Sequence, residues 1–379
     1  MNDRRVDIII PTYGPGEKFL RLLEGLGKQT VMPEKIIVIN TERNLWDVVR
    51  TQIAQTPGLA WLREAGTEEA ALNGNPGQYG NGENIGNREE CADAETAESR
   101  KNCDNGDGGD TEYFGVLEVH HIKKEAFDHA YARNLGVSFS QADIFICMTQ
   151  DAVPQDIMLI ERLTAPIAAA AGTDGVKMSY ARQLCYEGDP ESERISRQFN
   201  YPDTSSVKSI ADLDRLGIKT FFASNVCAAY DRETFDMLGG FAGPAIFNED
   251  MVYACGLVKA GFSIAYCADA RVYHSHRYSM TAQLKRNFDN AASQKLHPEV
   301  FEGISSESEG IRLVRAGGGQ LVKRGRITEL PGFICTCGFK YMGFLLGRKC
   351  LKMPINIVKK LSASPDFWER RAGKESAHE

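Results

Sequence analysis

Val6-Asp7-Ile8-Ile9-Ile10 is a short β-branched run that Pro11 closes, the pattern of a buried parallel strand ending at a loop. After the loop Thr12 to Gly16, apolar residues recur at Phe19, Leu20, Leu22, Leu23 and Leu26, which is helical spacing. Lys35 to Asn40 makes a second apolar strand. Gly115 to Ile122, a helix-like stretch from Phe127 to Phe139, and the run Ile144 to Met148 continue the alternation. Strand and helix in turn predict an α/β fold, a doubly wound, Rossmann-like and mostly parallel central sheet flanked by helices. Ligands of such sheets sit beyond the carboxyl ends of the strands, and three segments fall there: Pro11-Thr12-Tyr13, Asn40-Thr41-Glu42 and Thr149-Gln150-Asp151.

Between about Glu64 and Glu112 the pattern stops. Gly, Asn, Glu and Asp crowd this stretch and apolar residues are few, so it cannot bury enough surface to offset the entropy of ordering. A disordered or mobile insertion is expected over 64–112. Beyond Asp151, Gln155 to Leu163 reads as a helix, and Asp151 would be its N-cap if it had no other role. Asn248-Glu249-Asp250 precedes a helix from Met251 to Ala260, where acids complement the helix dipole even without any chemistry. A strand from Ala270 to Tyr273 then runs into His274-Ser275-His276. Near the C-terminus, Phe333 to Leu346 is largely apolar but is interrupted by Lys340 and followed by Arg348, Lys349, Lys352, Lys359 and Lys360. That run is too short and too broken for a spanning helix. It reads as a basic amphipathic surface suited to anionic lipid, or as a helical subdomain or oligomer contact.

Composition narrows the classes. A chain of 379 residues, 42% hydrophobic and 25% charged, can bury a large core as one α/β unit with appendages or as two domains. A formal net charge of -7 argues against a nucleic-acid partner. Ten cysteines lack regular spacing and several sit inside apolar runs such as Ile146-Cys147-Met148, as free thiols of a reducing compartment do. Met1 to Arg5 leads straight into a strand without an apolar leader, so a cytoplasmic protein is expected. No Gly-x-Gly-x-x-Gly follows the first strand, which excludes a dinucleotide fingerprint.

Asp151, then the pair Glu249-Asp250, then His274 supply what metal-assisted group transfer from a nucleotide requires: a ligand, a base and a second ligand. Asp7 to Tyr13, His129 to Gly136, Met148 to Ala152, Asn225 to Tyr230, Asn248 to Met251 and His274 to Ser279, taken in order, resemble a family 2 glycosyltransferase of the GT-A fold. Within that family the chain most resembles the bacterial rhamnosyltransferase-like enzymes of polysaccharide and O-antigen synthesis. The ordered set spans most of Val6 to Ser279, and the tail is similar as well.

The resemblance implies a GT-A domain over 1–285, with a nucleotide half to about 151 and an acceptor half from 152, followed by a helical basic region over 286–379. It implies Asp250 as general base for an inverting transfer, with Glu249 supporting that base or orienting the acceptor. Asp151 and His274 would hold Mg2+ or Mn2+ against the donor diphosphate, with His276 as the competitor of His274. Relatives often carry Asp-x-Asp where this chain has Thr149-Gln150-Asp151, a single acid. Pro11, Thr12, Tyr13, Glu42, Arg133, Asn134, Gln150 and Asp151 would contact the nucleotide sugar, and Gly136 would let a helix approach closely. Ser224, Asn225 and Glu249 would meet the acceptor; Tyr201, Phe221, Phe222 and Phe241 offer either stacking faces or core. Arg277 and Tyr278 are further candidates for phosphate oxygens. The implied donor is dTDP-L-rhamnose or another nucleotide hexose. The implied acceptor is a glycan or lipid-linked intermediate at the inner face of the plasma membrane, with the basic tail on an anionic membrane surface. Two other classes stand beside this one: a noncatalytic sugar-binding or assembly protein, motivated by the single acid, and a nucleotidyl transferase, which shares fold and metal.

Overall fold

The computed structural model describes residues 4–64, 111–169, 175–301 and 307–376. Among these, ten strands form one sheet: β1 (Val6–Thr12), β2 (Lys35–Asn40), β3 (Thr111–Phe114), β4 (Leu117–His121), β5 (Ile144–Met148), β6 (Val153–Pro154), β7 (Val176–Leu184), β8 (Ser206–Lys208), β9 (Cys227–Asp231) and β10 (Ser263–Tyr273). Their spatial order is β3-β4-β2-β1-β5-β9-β7-β10-β6, with β8 paired to β10. The pairings of β1 with β2 and β5, β2 with β4, and β7 with β10 are parallel. Strand β9 lies antiparallel between β5 and β7, and the remaining antiparallel pairs are short edge pairings.

Both faces of the sheet are covered. Ile8 and Ile10 enter one core with Phe19, Leu22, Leu23 and Leu26 of the helix Glu17–Leu26, while Ile9 enters the other with Ile37, Ile39 and Phe145. Each such side chain, fully removed from water, contributes about 1.5–3 kcal/mol, which is why β1 is apolar at successive positions rather than at alternate ones. Gly136, on the helix His129–Phe139, sets how closely that helix lies on β1. A Cβ there would stand 2.4 Å from Ile9 Cγ2, so only glycine allows the approach.

Three expectations meet the structure differently. The polar stretch 64–112 lies outside the described residues except at its ends, and its last residues are built into β3, where Glu112 accepts from Trp46 Nε1 at 3.3 Å. The helix after Asp151 starts at Leu159 rather than Gln155, because Val153 and Pro154 first pair with β10 and Asp156 takes the Met158 amide. Asp151 is therefore not a helix cap. The apolar C-terminal run is also longer than expected, a helix over Leu330–Gly347. Residues Ile327–Gly347 are long and apolar enough, by length and composition, to cross a membrane. One side of that helix is nevertheless packed against the helix Met280–Leu296. Cβ atoms added at Gly343 and Gly347 would sit 2.2 Å from the Leu284 and Phe288 carbonyl oxygens, so small residues let the two backbones meet. Buried Glu191 secures the preceding helix, Glu307–Lys323, through Arg324 and through Arg326 at 2.7 Å.

Candidate active site

The carboxyl ends of β1 and β5 and the start of β9 open into one cavity of about 1290 Å³, closed on its far side by the C-terminal helices. Pro11, Thr12, Tyr13, Arg133, Gln150, Asp151, Ser224, Asn225, Glu249, Asp250, His274 and His276 all line it. The strand ends are tied together before any ligand enters. Gln150 accepts from the Tyr13 amide at 3.0 Å and donates to the Tyr13 carbonyl at 2.9 Å, while Thr12 donates to Asn40 at 2.9 Å. Thr149 Oγ1 and Arg133 Nε are buried without a partner among the described residues. Both residues line the cavity.

The acids sit on the first turn of the helix Glu249–Lys259, entered through Asn248 in the left-handed region at φ 62°. Asparagine tolerates that conformation better than most residues, and its amide is held by Asn290 Oδ1 at 3.0 Å. Glu249 is buried, ion-paired to Arg133 at 3.0 Å and hydrogen-bonded by Asn225 Nδ2 at 3.0 Å. Burial alone would raise its pKa; Arg133, His129 and Asn225 outweigh that and hold it below the usual glutamate value. Asp250 is half-buried and its Oδ2 accepts from the Asn225 amide at 2.9 Å. Burial, and next to it the Glu249 charge, push its pKa up to about 7. An acid that merely complements a helix dipole is stabilised in its charged form. Asp250 is shifted the opposite way, to where a carboxylate can take a proton near neutral pH.

Across the cavity, Asp151, His274 and His276 bring one ligand atom each within 4.8 Å of one another. The two imidazole Nε2 atoms face each other at 3.0 Å, and they stand 3.5 and 3.4 Å from the Asp151 oxygens. Gln183 decides what these nitrogens carry. Its Oε1 is fixed as the acceptor because Arg197, which can only donate, is bonded to it, and its Nε2 donates to Tyr201 Oη at 2.5 Å and Ser224 Oγ at 2.9 Å. His274 Nδ1, 3.0 Å from that oxygen, must be the protonated nitrogen, leaving Nε2 bare toward Asp151. Burial also lowers the pKa of both histidines, which favours the neutral ring. Two neutral imidazoles and a carboxylate, with an outer partner orienting one ring, fit a divalent cation with mixed nitrogen and oxygen ligands.

Other expected contacts fall elsewhere. Asn134, beside Arg133 on the same helix, is not in the cavity wall. Its amide brackets the Phe241 backbone, donating to the carbonyl at 2.8 Å and accepting from the amide at 3.0 Å. Glu42 lies outside the cavity wall, 3.5 Å from Lys124, which in turn bonds the Tyr13 hydroxyl at 2.7 Å. Asn225 reaches the cavity, yet Glu249, Asp250 and Tyr230 engage its backbone amide and both side-chain ends, so it positions the acids rather than offering itself to a sugar. Ser224 is held by Gln183. Phe221 and Phe241 are core, whereas Phe222 and Tyr201 line the cavity. Arg277 is exposed and turned to the Gly188 carbonyl at 2.7 Å and to Asp189. The sequence reading missed Gln183, a buried polar residue of the mixed strand β7; its partner His274 lies 91 residues away, so no local signal pointed to it.

No protein-family model matches this chain. It is 28% identical over 370 residues to the O-antigen chain rhamnosyltransferase RfbN of Salmonella typhimurium, spanning 96% of each chain. It is 31% identical over 249 residues to the O-antigen chain rhamnosyltransferase WbaN of Salmonella anatum, covering 65% of this chain and 78% of that one. Among solved structures, the mannosyltransferase PcManGT of Pyrobaculum calidifontis, in complex with GDP-Man and Mn2+, superposes with a TM-score of 0.52 over 92% of this chain and 87% of that one. At 12% identity that likeness speaks for the fold alone. With the GT-A sheet and its cavity, the sequence relationship identifies the chain as a glycosyltransferase of polysaccharide synthesis, and it belongs to the O-antigen chain rhamnosyltransferase family.

Proposed function

We propose that this chain is an inverting transferase that moves L-rhamnose from dTDP-L-rhamnose to a hydroxyl of a glycan or lipid-linked acceptor. The observation that carries the reading is the placement of Asp250 and the Asp151, His274, His276 group on the walls of one cavity. The names of both relatives support rhamnose as the sugar. Asp250 takes the proton of the acceptor hydroxyl as that oxygen bonds to the anomeric carbon. The bond from that carbon to the diphosphate breaks on the opposite face, and the nucleoside diphosphate leaves with the electron pair. Arg133 and Asn225 hold Glu249 charged beside Asp250, which keeps the base strong. A divalent cation held by Asp151, His274 and His276 would stabilise the charge growing on the diphosphate; the two imidazoles favour Mn2+ over Mg2+. A panel of dTDP-L-rhamnose, UDP-sugars and GDP-mannose, read by nucleotide release with Mn2+ or Mg2+, should show turnover with dTDP-L-rhamnose. Turnover of another donor in its place would replace the sugar assigned here.

The acceptor end has its own support. Ile311, Ile334 and Tyr341 line the cavity and are also exposed, and Met342, Leu345, Leu351, Ile355 and Ile357 extend the apolar surface. Lys349, Lys352, Lys359 and Lys360 lie along the same helices. Such a surface suits the cytoplasmic face of an anionic membrane, with the cavity opening toward it. The protein should float with anionic liposomes in low salt and not with neutral ones; failure to float would leave the acceptor soluble.

A further inference from the structure

Arg277 faces away from the cavity, but another guanidinium faces in. Arg286, on the helix Met280–Leu296, is half-buried, with Cζ 4.8 Å from the centroid of the Tyr278 ring and 5.1 Å from that of Phe247. Tyr278 in turn lies against His276, ring centroids 4.9 Å apart. Guanidinium, phenol and imidazole thus form a column that ends at Asp151. Arg133 and Arg197, also in the cavity wall, are already paired with Glu249 and Glu193. Among the described residues Arg286 makes no ion pair or hydrogen bond; it lies against the faces of two rings, and Asp289, which feels its charge, is itself bonded to Ser362 and Ala363.

We propose that Arg286 binds the diphosphate of the nucleotide donor, opposite Asp151, His274 and His276, and stays on it as it departs. This rests on the donor reading given above. A guanidinium stacked on aromatic faces keeps its edge free, and that edge presents parallel N–H donors matched to two phosphate oxygens. The rings fix its orientation in advance, so little freedom is lost when the ligand arrives. As the bond to the anomeric carbon breaks, negative charge accumulates on the terminal phosphate, and the contact strengthens as the transition state is approached. The arginine gives up no proton; its part is charge and geometry.

The test uses the full chain and the variants Arg286→Gln and Arg286→Lys, titrated calorimetrically with inorganic pyrophosphate and with dTDP, each with Mn2+, and with dTMP as control. Arg286→Gln should weaken pyrophosphate and dTDP about 10- to 100-fold and dTMP only slightly, with Arg286→Lys in between. Unchanged pyrophosphate affinity in Arg286→Gln, at an unchanged melting temperature, would overturn the assignment. Equal losses for dTDP and dTMP would overturn it too, by making Arg286 a support of the wall. Should the wild type bind pyrophosphate but not dTDP, and Arg286→Gln lose the former, Arg286 stands and the thymidine donor falls. If the wild type binds neither, both readings fail.

Discussion

The two groups of ionisable residues in the cavity are built on opposite principles. Around Glu249 and Asp250 the protein satisfies itself: Arg133 neutralises Glu249, Asn225 bonds both acids, and Tyr230 holds Asn225 at 2.6 Å. Around Asp151 it does not. Gln183 fixes one face of His274 so that the other is a bare lone pair, and that lone pair points at His276 and a carboxylate. In the first group both acids are paired without a ligand, and that pairing tunes a proton affinity. The second leaves ligand atoms of Asp151, His274 and His276 facing one another, where a cation would complete it. A base must be preorganised in the resting enzyme, whereas a diphosphate site is completed on binding. On the proposed function, the contrast therefore separates the residue assigned proton transfer from those assigned to the donor.

Asp250→Asn is the largest way to break this comparison. The amide keeps the hydrogen bond from the Asn225 backbone but cannot accept a proton, so turnover should fall about 10²- to 10⁴-fold while dTDP affinity stays near wild type. Asp151→Asn should behave differently, weakening Mn2+ and dTDP binding together, as titration of both ligands would show. If Asp250→Asn loses dTDP affinity as severely as Asp151→Asn, the two groups act as one donor site and the division fails.

Much of this was legible in the sequence, because strands and helix starts are local. Lys35 to Asn40 and Ile144 to Met148 have the same ends in the structure as in the hydrophobic pattern, and the acids fall on a first helical turn as their position before Met251 to Ala260 required. Arg133 and Asn134 read as a pair, but Asn134 is taken up by the backbone of Phe241, 107 residues away. What could not be read was long-range. Gln183 meets His274 through the parallel pairing of β7 with β10, a register that nothing in either segment specifies by itself. Arg277 looked the better phosphate ligand because it follows the histidines directly, but the chain turns there and Asp189 takes it, while Arg286 returns one helix later. The tail was misjudged for a related reason. Lys340 read as a break in the apolar run, whereas the helix continues through it and meets Leu284 and Phe288 at Gly343 and Gly347.

The smallest effect tests how the self-satisfied group sets its proton affinity. Asp250 must be unprotonated to act, so kcat/KM should rise with pH through about 7 and level off above it. The groups that face it are Glu249, Arg133, Tyr230 and Tyr201, and only the first raises its pKa as a charged neighbour near neutrality. Glu249→Gln removes that charge, and the Arg133 charge, no longer matched, then favours ionised Asp250 as well. Both changes act in one direction, so the acid limb should move to lower pH by roughly one unit. Stability runs the other way. Because the folded pKa of Asp250 lies above its unfolded value, its contribution is full below about 4 and is lost as pH rises through about 7, so alkaline pH arms the base and weakens the fold. Leaving Arg133 buried without its partner should also lower the melting temperature of Glu249→Gln, and the limb must be measured where the variant remains folded. A limb that stays in place in a folded variant would mean that Asp250 is not the group titrating, and the base would have to be sought on the metal side of the cavity.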